Sequence, residues 1–126
     1  MIDHVSVAVG DLTRAAAFYD AAFAPIGLTR LVTRERSVGY GKAYPEFWIN
    51  LREGYRATPG DPGAHICLRA RDEAAVSAFH AAALAQGGED SGAPGPRQAA
   101  MTTYFGAFVL DLDRNKIEVV TFPKAG

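Results

Sequence analysis

Two histidines occupy matching places in the two halves of the chain. His4 lies in Ile2-Asp3-His4-Val5-Ser6-Val7-Ala8-Val9 and His65 in Gly63-Ala64-His65-Ile66-Cys67-Leu68-Arg69-Ala70, 61 residues apart. Imidazole nitrogens ligate divalent metals and carry protons near neutral pH. A third group of the same kind is Glu118, in the closing run Lys116-Ile117-Glu118-Val119-Val120. In extended chain, His65 shares a face with Gly63, Cys67 and Arg69, while Ile66 and Leu68 face the other way. Glu118 likewise shares a face with Lys116, Val120 and Phe122, opposite Ile117 and Val119. A carboxylate among Ile and Val needs a partner, because burying it alone is costly. Two imidazoles and a carboxylate with positions left open form a facial set suited to a divalent metal. The plainer fate of a strand histidine is a hydrogen bond in a core or at an edge. Two of them at equivalent places, with an added carboxylate, favour coordination.

The 61-residue frame extends well beyond the histidines. It carries Asp11 onto Asp72, Phe18 onto Phe79, Ala22 onto Ala83 and Gly27 onto Gly88. An internal repeat decides architecture before any local propensity does. Residues 2–9 alternate as a strand, Gly10 breaks it, and Asp11 is a good N-cap. From 12 to about 24, Ala15, Phe18, Tyr19, Ala22 and Phe23 recur at helical spacing, and Pro25 with Gly27 ends the helix. Extended stretches are expected at 28–33, 37–42 and 46–52. Residues 53–62 are a linker by composition, with Gly54, Pro59, Gly60 and Pro62. The pattern then restarts: a strand at 64–70, a cap at Asp72, and a helix at 73–86 with Val76, Phe79, Ala83 and Leu84 facing inward. Gly87-Gly88 supplies the C-cap. A Gly/Pro-rich loop is expected over 91–98, then strands at 102–111 and 116–122 around a turn at 112–115. Each half reads β-α-β-β-β, although in the second half the first strand after the helix is weak. The expected organisation is one domain of 1–126, with module one at 1–54, a linker at 55–62 and module two at 63–126.

Composition bounds the partners. With 126 residues there is room for one shared core, since units of about sixty residues are marginal alone. Net charge −1 and the lack of a basic cluster argue against nucleic acid. No apolar run approaches a membrane span of about 20 residues, and the N-terminus has no signal-peptide layout. Cys67 is the single cysteine, which fits a cytoplasmic location. A small molecule is the default partner.

These residues resemble the vicinal oxygen chelate superfamily, which includes glyoxalase I, fosfomycin- and bleomycin-resistance proteins and extradiol dioxygenases. The resembling stretches are Ile2-Asp3-His4-Val5, Val9-Gly10-Asp11-Leu12, Phe18-Tyr19, Gly63-Ala64-His65-Ile66 and the run from Phe108 to Glu118; they span nearly the whole chain. The resemblance implies an α+β fold of two tandem βαβββ modules whose sheets curve around a cleft holding a divalent metal (Zn, Ni, Mn or Fe(II)). It implies a homodimer as well. By position, His4, His65 and Glu118 match metal ligands, and Glu118 also matches a catalytic base. The fourth ligand place, in Phe47-Trp48-Ile49-Asn50-Leu51, is assigned to Asn50. Asn50 lies 68 residues before Glu118, seven more than the repeat interval, and an enlarged loop at 92–98 absorbs the excess. A carboxamide there departs from glyoxalase I relatives, which commonly carry a carboxylate. The turn before Glu118 departs too, with Leu112 and Arg114 where the family often shows Pro and Gly; Arg114 at φ > 0 would be strained by roughly 1 kcal/mol.

Further candidates line the expected cleft. Cys67 is suited to packing or, less simply, to thiolate chemistry. Trp48 could stack on an aromatic substrate or fill a dimer seam. Arg69 and Arg97 are placed to meet an anionic group or to stand solvated. Tyr104 is a substrate contact or a core residue, and His80 reads as surface or packing. Three functions follow. The leading one is a glyoxalase-like enzyme whose metal chelates vicinal oxygens for lyase or isomerase chemistry, with Asn50 hydrogen-bonding the substrate. The others are an extradiol-type dioxygenase using Fe(II), and a binding protein that sequesters an aromatic or antibiotic-like ligand.

Overall fold

A computed structural model describes residues 1–123. The elements are β1 (Val5–Val9), α1 (Leu12–Phe23), a 3-10 turn (Ala24–Ile26), β2 (Thr29–Thr33), β3 (Ser37–Gly41) and β4 (Pro45–Leu51), then β5 (Ile66–Arg69), α2 (Glu73–Ala85), β6 (Glu89–Gln98), β7 (Thr103–Leu110) and β8 (Lys116–Thr121). They form two four-stranded mixed sheets, ordered β1-β4-β3-β2 and β5-β8-β7-β6. In each sheet the first strand runs parallel to the last and the other pairs are antiparallel. This is an α+β fold, as the repeat predicts. Both histidines fall one residue before their strands, so His4 and His65 sit at strand entrances rather than within the ladders.

Asp11 and Asp72 cap the helices by accepting from the backbone N–H of Arg14 and Ala75. α1 packs on the first sheet, α2 on the second, and the helices pack on each other. One hydrophobic cluster results, running from Val9, Phe18, Phe23 and Ile49 to Phe79, Val109, Ile117 and Val119. Ala15, Ala16, Ala22 and Ala83 are buried within this cluster. Gly88 serves packing: a Cβ there would meet the Phe18 ring at 2.8 Å.

Two expectations are corrected. Leu84 is 38% exposed, and His80 takes the buried place instead, bonded to Asp90 at 2.8 Å. The Gly/Pro-rich stretch expected to loop at 91–98 belongs to β6. It is an edge strand paired only with β7, where prolines can be tolerated, and its register shifts between Asp90 and Gly92 and again between Gly92 and Gly95.

The halves are joined through a polar cluster at the turn before β8. Asp111, 4% exposed, accepts from the Tyr19 hydroxyl at 2.6 Å, from Asn115 Nδ2 at 3.0 Å, and from the backbone N–H of Asp113 and Asn115. Asn115 Nδ2 also donates to Ala8 O, and Gly10 N–H donates to Asp113. Burial raises the Asp111 carboxyl above its ordinary range despite these donors. Arg114 in this turn has φ 66°, the only positive φ outside glycine among the described residues.

Tyr19→Phe should cost about 1–3 kcal/mol in chemical denaturation, because a buried carboxylate loses a donor; an unchanged midpoint would mean that the clamp is not stabilising. Arg114→Gly removes about 1 kcal/mol of backbone strain and an exposed pair with Glu89 worth about 0–1 kcal/mol. Its melting temperature should therefore equal or exceed the parent's. A loss would show that the ion pair outweighs the backbone.

Candidate functional site

With one face of each sheet under its helix, the opposite faces are free to carry polar groups. On the second sheet that outer face centres on Glu118. The strand alternation places Ile117 and Val119 in the core and Glu118 away from the helix, yet Glu118 is only 5% exposed. Its Oε1 lies 3.1 Å from His65 Nε2, and its Oε2 accepts from the Tyr104 hydroxyl at 3.0 Å. Tyr104 reaches it because Gly106 lies between: a Cβ on Gly106 would be 2.9 Å from the Tyr104 ring. The His65 ring packs edge-on against Phe108, with centroids 5.5 Å apart.

The electrostatics follow from this crowding. Desolvation, then the Glu118 hydrogen bond and charge, raise the Tyr104 hydroxyl above its ordinary value, so it keeps its proton and donates it to the carboxylate. Cys67 pairs in register with Glu118. Cys67 is exposed on this face, yet partial desolvation of its sulfur and the Glu118 charge beside it push the thiol up to about 12. A thiolate nucleophile is therefore disfavoured at neutral pH.

The first sheet presents a different outer face. The His4 side chain is exposed, and its partner is Asp3, at 2.8 Å; Asp3 in turn accepts from the Tyr44 hydroxyl at 3.0 Å. Trp48 lies against Gly39, where a Cβ would be 3.0 Å from the indole, and carries the Arg34 guanidinium 5.0 Å from its ring centroid. Asn50 is half-buried, in register with Ala8 and Ser37.

Strand register changes the assignment of the fourth position. In the second sheet Glu118 faces Cys67 and Phe108. Cys67 is the repeat partner of Ser6, and Ser6 faces Trp48. The residue equivalent to Glu118 is thus Trp48, and Asn50 lies two residues further along β4. An indole offers a metal nothing.

The structure brings His65, Cys67, Tyr104 and Glu118 together and leaves His4, Trp48 and Asn50 on the other sheet. Among the described residues no three or more His, Cys, Asp or Glu side chains converge as a metal site. Phe108 was not singled out from sequence as a site residue, although its alternation with Val109 places it beside Glu118.

A family model for the Glyoxalase/Bleomycin resistance protein/Dioxygenase superfamily matches residues 1–119. The chain belongs to that superfamily, whose members bind small molecules and often a divalent metal. Among solved structures it is similar to a glyoxalase/bleomycin resistance protein from Albidiferax ferrireducens T118, at 29% identity and TM-score 0.83, over 94% of this chain and 96% of the other. A glyoxalase/bleomycin resistance protein/dioxygenase family enzyme from Burkholderia phytofirmans PsJN shares the fold at 19% identity and TM-score 0.73, over 97% and 98%. So does a glyoxalase-related enzyme from Fulvimarina pelagi, at 16% and 0.70, over 100% and 99%. Comparison with curated proteins finds no match. No helix among the described residues is long and apolar enough to cross a membrane.

Cys67 offers a direct probe of the Glu118 charge. Iodoacetamide at pH 8 should alkylate it far more slowly than a free thiol, and Glu118→Gln should raise the rate by removing a negative neighbour. Equal rates in parent and variant would show that the carboxylate does not act on the sulfur.

Proposed function

We propose that the chain is a divalent-metal-dependent enzyme acting on a small molecule held through two neighbouring oxygens at the outer face of the second sheet. The supporting observation is the 3.1 Å between His65 Nε2 and Glu118 Oε1. Nitrogen and oxygen ligands about 2.0–2.2 Å from one ion stand roughly 2.9–3.4 Å apart at octahedral to tetrahedral angles. The pair thus has the spacing of adjacent ligands. His4 is the third ligand of the proposal and comes from a second copy of the chain, since within one chain it does not join the pair. A homodimer is therefore part of the reading, and so is a reducing, cytoplasmic setting for the free Cys67 thiol.

A bound divalent cation would polarise the substrate oxygens as a Lewis acid. The chain's own groups do the remainder. Glu118 is the base that accepts a proton from substrate, and Tyr104 orients it by holding Oε2, which leaves Oε1 toward His65. The second copy that brings His4 also brings Trp48 and Asn50, to stack on the substrate and hydrogen-bond it. The same triad with Fe(II) supports the ring-cleaving variant.

A second reading, ligand sequestration without chemistry, is favoured by Trp48 standing where Glu118 has its counterpart. Metal analysis of protein purified without chelators separates the two. One equivalent per chain is expected, lost in His65→Ala, Glu118→Ala and His4→Ala alike. Full retention in His4→Ala alone would remove the second-copy ligand. No metal after supplementation with Zn, Ni, Mn or Fe(II), with small-molecule binding intact, would sink the enzyme reading. Oxygen uptake with catechol after anaerobic iron loading would identify the dioxygenase variant.

A further inference from the structure

We infer that Asp61 and Lys116 form a latch that positions His65: their ion pair pins the segment joining the two modules to the strand that carries Glu118. The latch serves the His65–Glu118 site and so rests on the functional reading above, while its main test needs no metal.

His65 stands where the sheet holds the chain on one side only. The β5 ladder begins with Ile66 facing Ile117, so the backbone is fixed after His65 but not before it. Upstream, residues 56–64 lie in no helix or strand and are mostly exposed, and Gly60 and Gly63 have φ 80° and 79°. Such a segment samples many conformations unless a contact ties it down. Lys116 Nζ supplies that contact by donating to Asp61 Oδ2 at 2.9 Å. Among the described residues, no other hydrogen bond or ion pair joins residues 56–64 to another element. Asp61 Oδ1 accepts from the Gly63 N–H at 2.8 Å, which sets the turn two residues before His65. One carboxylate thus couples that turn to β8.

The other end of the latch is placed to matter. Lys116 opens β8 two residues before Glu118, on the same face of the strand. Its side chain is only 15% exposed, and its ammonium lies 5.0 Å from the Phe108 ring centroid. The same ring meets the His65 imidazole at 5.5 Å, so latch and imidazole lean on one support. The other cations of the face do not tie the segment. Arg97 lies 5.5 Å from the Phe108 centroid and donates to Ala93 O, while Arg69 stacks on Phe122 at 4.7 Å. Asp61 also offsets the charge of Lys116, an ammonium on the Glu118 face that would repel a divalent cation held there.

Aromatic NMR of the full chain, stripped of metal at about pH 9 so that neutral imidazoles report position and not protonation, tests the latch. The His65 signals are identified by their loss in His65→Ala. Asp61→Asn keeps an acceptor for Gly63 without the charge, and Lys116→Met keeps the stem without the ammonium. Each should move the His65 signals toward free-histidine values and weaken the cross-peaks between the His65 and Phe108 rings. The double variant should do no more than either single change, and Lys116→Arg should restore the parent spectrum. Trypsin cleavage after Arg56 should quicken by about threefold in both single variants, because proteolysis follows the population of the released segment. Unmoved His65 signals in both single variants, or effects that add in the double, would overturn the inference. Zinc titration of the same samples keeps the two proposals apart. Where the parent binds zinc, Asp61→Asn should weaken it about tenfold, and an equal affinity would also overturn the latch. A parent that binds none sinks the enzyme reading, while the ring spectrum still decides the latch.

Discussion

The buried Asp111 carboxylate is the junction on which the molecule depends. It gathers four donors, and the one from Tyr19 comes from the helix of the other half. The turn it organises begins β8 at Lys116, and β8 carries Glu118. The same turn reaches back to the end of β1 through Asn115 and Asp113. A carboxylate so deeply buried is tolerable only because every donor is supplied. The position of Glu118 against His65 and Tyr104 therefore rests on a polar contact made far from it.

The two halves share a backbone plan and diverge in chemistry on one face. In each sheet an aromatic ring lies over a glycine of the third strand: Trp48 over Gly39 and Tyr104 over Gly106. In the second sheet that ring donates a hydrogen bond to a carboxylate on the neighbouring strand. In the first, the ring itself occupies the matching register position in place of an acid. Duplication thus kept the alternation that builds the core and released the opposite face to change. The result is a face carrying the carboxylate–imidazole pair and another offering indole and carboxamide.

Much of the fold was legible because it depends on local signals repeated twice. Asp11 and Asp72 cap helices, apolar residues recur at helical spacing, and Val5, Val7 and Val9 alternate against Ser6 and Ala8. The β6 strand was legible only as a weak strand after the second helix, and its extent over 91–98 was not. Gly92, Pro94, Gly95 and Pro96 argue for a loop, and only the ladder with β7, together with its shifts of register, holds them extended. Leu84 was misread because helical periodicity gives a stripe without saying which edge of it the partner elements cover, and here His80 takes the inner place.

The sequence by itself determined the repeat, the α+β fold and the family, since caps, periodicity and motif order are written along the chain. It also singled out His65, Cys67, Tyr104 and Glu118, which the fold brings to one face. Tertiary structure decided what spacing cannot express. It moved the fourth position from Asn50 to Trp48, because offsets count residues along the chain while ligands and their counterparts are matched across ladders, where a shift such as that between Tyr40 and Gly41 absorbs residues unseen. It also separated His4 from His65. Equivalence in a repeat guarantees similar surroundings, but only the packing of one half on the other determines whether equivalent residues meet.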